Sequence, residues 1–278
     1  MKALPPLLIT ATLDAGKTPY VALASTGERA VAHMQGLMAW LREPSVNRVV
    51  FAKNCVARIR KEVLEEAASR HGKELEFVQV GQDPRTLVQG KGFGEGNLIS
   101  QALQKSEMLQ ASSGFVKITG KLHCPGAEAL FSGEGSGEFF VSHPDSSARA
   151  NPLRRTLSPL YSYQAGSTLL SFMKRGLRVP WGLVASAPGG LVDTRFYRVD
   201  CDFYLRVLRD SHRRVRDSLG YTLERAFHDD LKELASSVRL IDLSPPIIGT
   251  SGSLGTTSGS YSEEIRREAE ELASRLFA

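Results

Sequence analysis

Four stretches of this chain combine residue types that could grip a phosphate or move a proton. The first is Lys91-Gly92-Phe93-Gly94-Glu95-Gly96, between a predicted strand and a predicted helix. Glycines let backbone amides approach an anion, a following helix N-terminus adds partial positive charge, and Lys91 would neutralise a phosphate. The stretch is neither a P-loop, because no Gly-Lys-Ser/Thr closes it, nor the dinucleotide fingerprint, whose glycine spacing differs. A plain strand-to-helix turn accounts for it equally well. The second is Phe115-Val116-Lys117-Ile118-Thr119-Gly120-Lys121. A lysine inside a strand built for burial needs a partner or a cleft. Thr119, Gly120 and Lys121 fall at its carboxyl end, where open α/β sheets bind ligands. The alternative is an edge strand from which Lys117 reaches water.

The third stretch is Asp193-Thr194-Arg195, opening a predicted strand, taken with Glu224 near the start of a predicted helix. Asp193 and Glu224 are the carboxylates available as a general base. An acid at a helix start is also a routine cap, so both readings of Glu224 stand. The fourth is Gly249-Thr250-Ser251-Gly252-Ser253, whose clustered amides and hydroxyls suit a diphosphate, or simply a loop. Asp200-Cys201-Asp202 has a metal-binding spacing but directly precedes a predicted helix, where Asp is a preferred N-cap. His33 and His71 are expected on solvent-facing helix surfaces, and the remaining histidines show no ligand spacing. The neighbours His228, Asp229 and Asp230 would point in different directions on a helix.

Apolar periodicity supplies the elements that must position these residues. Leu7 to Leu13 reads as a buried strand, Glu28 to Arg42 as an amphipathic helix, and Val49 to Ala52 as a second strand. A helix carrying Val56, Ile59, Val63 and Leu64 should end at Gly72. Leu75 to Val80 is a third strand. A helix ending at Ser106 and a fourth strand, Phe115 to Thr119, follow. This alternation predicts an α/β fold with a mostly parallel sheet flanked by helices. Beyond it come a short strand at Phe139 to Val141, a loop-rich section from Arg149 to Leu191 and a strand from Asp193 to Val199. Two helices, Asp202 to Leu219 and Thr222 to Ser236, precede a strand at Val238 to Leu243. A Gly/Ser/Thr tract, Gly249 to Ser260, leads to a C-terminal helix carrying Ile265, Ala269, Leu272 and Leu276.

Composition excludes several classes. The 278 residues are 42% hydrophobic and 23% charged, an ordinary globular balance that rules out disordered, collagen-like and coiled-coil readings. Cys55, Cys124 and Cys201 have neither zinc spacing nor a disulfide pattern, which suits a reducing compartment. No apolar run reaches the roughly 18 residues of a membrane span. Pro5, Pro6, Asp14 and Lys17 argue against a signal peptide, so a cytoplasmic location is expected. The net charge is +5, yet residues 144–216 alone carry 13 basic and 5 acidic side chains. Such a section implies a phosphate-bearing or polyanionic partner, or a solvated helix face formed by Arg206, Arg209, Arg213, Arg214 and Arg216. Nucleic acid is disfavoured, because no RGG tract, zinc finger or RNP-like aromatic motif accompanies the charge.

In KGFGEG (Lys91 to Gly96), FVKITGK (Phe115 to Lys121), VDTRFY (Val192 to Tyr197), LGYTLE (Leu219 to Glu224) and PIIGTSGS (Pro246 to Ser253), the chain resembles bacterial glycosyltransferase-like proteins of capsule and lipopolysaccharide biosynthesis. ITATL, with Thr10, and VVFAKN, with Asn54, fit as well. The order of these motifs spans nearly the whole sequence. The resemblance implies a GT-A-like single domain: a Rossmann-like, nucleotide-binding donor half over residues 1–125 merged with an acceptor half over 126–278. It implies transfer of a hexosyl or pentosyl group from an activated donor, nucleotide- or pyrophosphate-linked, to a glycan acceptor that an anionic charge would suit. Thr10, Asn54, Lys91, Gly92, Gly94, Glu95, Lys117, Thr119, Gly120, Lys121, Arg195 and Thr250 to Ser253 (Ser251 and Gly252 included) would lie near the donor, with Glu224 or Asp193 as base. The family's Asp-x-Asp is absent after the fourth strand, and Lys117, Thr119 and Lys121 stand in its place. Lys121 occupies a position where arginine is usual, which weakens a bidentate phosphate contact. No cofactor is therefore expected, lysine and arginine replacing Mg or Mn at the departing diphosphate. The alternative is a non-catalytic module that binds phosphate or nucleic acid through residues 144–216. Oligomeric state is left open.

Overall fold

The computed structural model describes residues 4–13, 25–54, 58–132, 136–142, 191–234, 237–241, 246–250 and 257–277. The first part of the chain follows the alternation read from its periodicity. Strands β1 (Leu7–Ala11), β2 (Arg48–Lys53), β3 (Glu74–Gln79) and β4 (Gly114–Thr119) are interleaved with helices α1 (Thr26–Leu41), α2 (Lys61–Arg70), α3 (Thr86–Gln89), α4 (Lys91–Lys105) and α5 (Glu107–Gln110). Strand β5 (Leu122–His123), helix α6 (Glu128–Phe131) and strands β6 (Gly137–Ser142) and β7 (Leu191–Asp200) come next. Helix α7 (Leu223–Leu231), strands β8 (Arg239–Ile241), β9 (Ile248–Thr250) and β10 (Thr257–Ser258), and helix α8 (Glu263–Leu276) complete the order. Among the described residues, no helix is long and apolar enough to cross a membrane.

Seven strands form one sheet in the order β3-β2-β1-β4-β7-β6-β8. The pairs β3/β2, β2/β1, β1/β4 and β6/β8 are parallel, whereas β7 runs antiparallel to both β4 and β6. The expected mostly parallel, helix-flanked sheet is thus found, and it is continuous from the first half of the chain into the second. Two apolar clusters cover its faces. On one, Leu7, Ile9, Phe51 and Ile118 meet Trp40 of α1 and Leu272 and Leu276 of α8. On the other, Leu8, Phe115, Tyr197 and Val199 meet Phe93 and Leu98 of α4 and Phe227 of α7. Ser25 caps α1 by accepting from the Glu28 amide at 3.4 Å, and Ser262 caps α8 by accepting from the Ile265 amide at 3.3 Å. Gly72 follows the end of α2 with φ +66°, as its position implied.

Two expectations fail. The glycine-rich Lys91 to Gly96 stretch is not a turn before a helix: it forms the first turns of α4 itself. The continuous helix expected from Asp202 to Leu219 is broken into a π turn (Tyr204–Leu208) and 3-10 turns (Ser211–Arg214 and Asp217–Leu219). One cause serves both. A Cβ on Gly96 would lie 2.3 Å from His212 Cβ, so the absence of side chains on α4 lets the 211–217 segment press against it. That segment then gives its polar groups to neighbours. Ser211 Oγ donates to Asp230 at 2.5 Å, and Asp217 accepts from the Gly92 amide. The arginines 206, 209, 213, 214 and 216 are exposed, as the solvated-face reading requires. G96A therefore forces overpacking and should lower unfolding free energy by about 1–3 kcal/mol. Urea denaturation measures this.

Candidate functional site

The carboxyl ends of β1 and β4, which pair Thr10 with Thr119, gather most of the expected residues. Lys117 points from β4 toward α4 and is fully buried. Its ammonium is ion-paired with Glu95 and donates to Thr119 Oγ1 at 3.0 Å and to the Thr194 carbonyl at 2.5 Å. All three of its N–H donors are thereby used. β4 is a central strand, so the edge-strand alternative fails. Lys117 is a cross-brace, not the phosphate ligand it was expected to be. Glu95 also accepts from Thr119 Oγ1 at 3.0 Å and from Thr10 Oγ1 at 3.4 Å. Burial pushes the Glu95 carboxyl up, but the Lys117 ammonium and the Thr119 hydroxyl outweigh it and hold the group below the ordinary carboxylate range.

Lys121 is the opposite case. It is 2% exposed, and among the described residues Nζ meets no hydrogen-bond partner. Burial, followed by the charges of Arg29 and Lys91, brings its pKa down to about 8. Arg29 was not foreseen. It lies in the first turns of α1 and donates from Nε to the Thr12 carbonyl at 2.7 Å. His33, one helical turn further on, is 1% exposed rather than solvent-facing, because α1 lies directly on the turn after β4. A Cβ on Gly120 would stand 2.6 Å from His33 Nδ1, and one on Gly36 would stand 2.3 Å from the Gly120 carbonyl oxygen. Burial, then Lys121 and Arg29, hold His33 neutral well below its ordinary range. The Arg29–His33 spacing of four residues after a strand was the available signal. Thr12 in turn donates to Asn54 Oδ1 at 2.7 Å, bringing Asn54 to the same edge.

The second half supplies the remainder. β9 pairs antiparallel with β5, and Tyr261 donates to the Lys121 carbonyl at 3.1 Å. Gly249 has φ +120°, and a Cβ there would fall 2.1 Å from that carbonyl oxygen, so only glycine fits the approach. Thr250 follows it in β9, while Ser251, Gly252 and Ser253 lie outside the described residues. Thr194 donates to Glu224 at 3.3 Å. Asp193 is held in a two-point ion pair by Arg195, at 2.9 and 2.6 Å, which removes Arg195 from the set free to bind phosphate. Gly92 and Gly94 make room for Asp217 and Thr86 respectively, and no phosphate contact is needed to explain them. The Gly92 amide donates at 3.1 Å to Asp217, a residue that escaped the sequence reading. Burial pushes Asp217 up to about 6. Asp200 registers opposite Gly114, at the far end of β4 from Thr119, and is ion-paired with Arg198. Among the described residues, the Asp-x-Asp spacing therefore lies away from this cluster.

No family model and no curated protein matches the sequence. Among solved structures, the galactosyltransferase LgtC, determined with donor and acceptor sugar analogues, superposes with a TM-score of 0.53 at 7% identity, over 98% of this chain and 96% of that one. The apo bifunctional glycosyltransferase WbbM gives 0.46 at 10% identity, over 87% of this chain and 39% of that one. The glycosyltransferase GlyE of Streptococcus pneumoniae TIGR4 gives 0.48 at 7% identity, over 97% and 63%. This chain thus spans less than two thirds of WbbM or GlyE. The LgtC superposition bears out the GT-A-type architecture as a likeness of fold.

The Lys117–Glu95 pair should be a stability element. K117M leaves the partly exposed Glu95 carboxylate without its cation and should cost about 1–3 kcal/mol at neutral pH, with E95Q/K117M recovering part of the loss. Because the folded Glu95 value is depressed, the pair's contribution is present above the unfolded value of about 4.3 and lost as pH falls through the folded one. Chemical denaturation from neutral to acid pH should show that loss in wild type and not in the double variant.

Proposed function

We propose that this chain is a glycosyltransferase that moves a hexosyl or pentosyl group from a nucleotide- or pyrophosphate-activated donor to a glycan acceptor in bacterial surface polysaccharide synthesis, in the cytoplasm. The observation that carries the reading is Lys121. It is a buried ammonium that meets no hydrogen-bond partner among the described residues, sharing its surroundings with the charges of Arg29 and Lys91 at the carboxyl end of parallel strands. The Glu95 carboxylate offsets these charges only in part, since the Lys121 pKa is still brought down to about 8; a further anion would relieve the rest, and a diphosphate suits the carboxyl edge of such a sheet. The GT-A-type fold agrees with that use.

In this reading the three cations stabilise the departing diphosphate, as preorganised charges do, without requiring Mg or Mn. Thr250 and the adjoining Ser251 to Ser253 add hydroxyls and amides. Glu224, oriented by the Thr194 hydroxyl, takes the proton of the acceptor hydroxyl. Asp193 is the weaker candidate because Arg195 engages both of its carboxylate oxygens, leaving neither free to face an acceptor hydroxyl. Lys117 and Glu95 hold the two halves of the site in register. The basic section, most of which lies outside the described residues, would attract an anionic acceptor.

Two outcomes test the proposal. K121M removes a charge-assisted contact and should weaken sugar-nucleotide binding by about tenfold or more. Wild-type affinity should decline above about pH 8 as Lys121 loses its proton, and the variant should show no such decline. Isothermal calorimetry with a panel of sugar nucleotides, with and without chelator, reads both effects. E224Q should abolish turnover while leaving donor affinity within about twofold, because the amide keeps its shape but cannot accept the proton. Product analysis beside calorimetry separates these quantities. An E224Q enzyme that still transfers sugar would remove Glu224 from the mechanism.

A further inference from the structure

Asp217 closes the head of α4 in an unusual way. An ordinary cap in the same molecule offers the comparison. Glu76 closes α5 by accepting from the amides of Glu107 and Met108, each at 2.9 Å, and from Ser106 Oγ at 2.6 Å, using both carboxylate oxygens. Asp217 is more deeply buried and only half satisfied. Its Oδ2 accepts from the Gly92 amide at 3.1 Å, while its buried Oδ1 meets no donor among the described residues. The space is kept for it. A Cβ on Gly90 would lie 2.3 Å from Oδ2, and one on Gly92 would lie 3.2 Å from Oδ1. The groups that bear on it are the Gly92 and Lys91 amides and the Lys91 ammonium from α4, and the Glu224 carboxylate from α7. A buried carboxylate with one idle oxygen beside a second carboxylate works against the fold. A neutral cap such as Asn would spare the fold that cost, but it would hold the α4 amides less tightly than a carboxylate does.

Resting on the donor-site reading above, we infer that Asp217 is a positioning residue: it ties the head of α4, and with it Lys91 and Glu95, to the segment that leads into α7 and carries Glu224. Its cost to the fold is the signature. The carboxyl is pushed up to about 6, above the unfolded value of about 3.9. The proton is therefore bound more tightly in the folded chain. The ionised group destabilises the protein at neutral pH, and the penalty fades as pH falls through about 6 toward the unfolded value.

The test compares D217N with the cap control E76Q in the full chain. Three quantities are read: melting temperature at about pH 7.5 and about pH 4.5, amide exchange over Lys91 to Glu95, and affinity for UDP-glucose, GDP-mannose and dTDP-glucose, whose diphosphates do not titrate in this range. D217N should melt a few degrees higher at about pH 7.5 with little or no gain at about pH 4.5. Exchange over Lys91 to Glu95 should quicken about tenfold. Affinity for the sugar nucleotide that binds should fall about tenfold, and the decline that wild type shows below about pH 6 should vanish. E76Q should melt lower at both pH values and leave that exchange unchanged. A D217N protein that melts lower at neutral pH, as a plain cap variant would, overturns the inference, and so does unchanged exchange at Lys91 to Glu95. If wild type binds none of the three nucleotides while melting and exchange behave as expected, the anchoring of α4 stands supported and the donor reading is what fails.

Discussion

The ion pair between Lys117 and Glu95 governs the geometry of this molecule's ligand edge. A central strand has no route to water for a lysine, so the ammonium must find its partners inside, and it takes one from α4, one from its own strand and one from β7. Each partner is thereby fixed. α4 cannot slide along the sheet without stranding two charges, and Thr194 cannot leave without exposing a donor that has nothing else to bind. The hydroxyls of Thr10 and Thr119 join Lys117 on the same carboxylate oxygen of Glu95, which makes the network a rigid floor rather than a reactive group.

Above that floor the same physical cause produces the opposite result. Burial shifts Lys121 down to about 8 and Asp217 up to about 6, because neither has the full set of partners that Lys117 and Glu95 find in one another. Satisfied charges hold the fold together, and it is around the less satisfied ones that the proposed function places the chemistry. A pyrophosphate would meet Lys121, Arg29 and Lys91, and an acceptor hydroxyl would meet Glu224. The site would then be positive on one side and negative on the other, and such an arrangement separates leaving-group stabilisation from proton removal.

Close backbone approach joins the two halves of the chain. Gly120 admits His33, Gly96 admits His212, and Gly249 admits the Lys121 carbonyl. Glycines that resemble a phosphate cradle in the sequence are in α4 the contact points for a segment more than a hundred residues later. That is why the 201–219 region breaks into short turns: its polar side chains are spent on α4 and α7 instead of on a helix of their own.

Much of the scaffold was legible in the sequence. Leu7 to Ala11, Val49 to Ala52 and Phe115 to Thr119 are apolar runs that can only be buried strands, and the helical spacing between them dictates a covered parallel sheet. The need of Lys117 was equally visible, since charge within such a run demands compensation, whereas Glu95 stood out only through the family resemblance. Whether that compensation comes from a ligand or from the protein was not visible, because partner choice is a matter of distances between residues remote in sequence. Tertiary structure alone decided that Lys117 is spent on Glu95 while Lys121 meets no hydrogen-bond partner among the described residues. It also turned His33 inward beside Arg29 and seated Asp217 against Gly92. A side chain's type states what it needs, and only the packing of distant segments states whether the need is met.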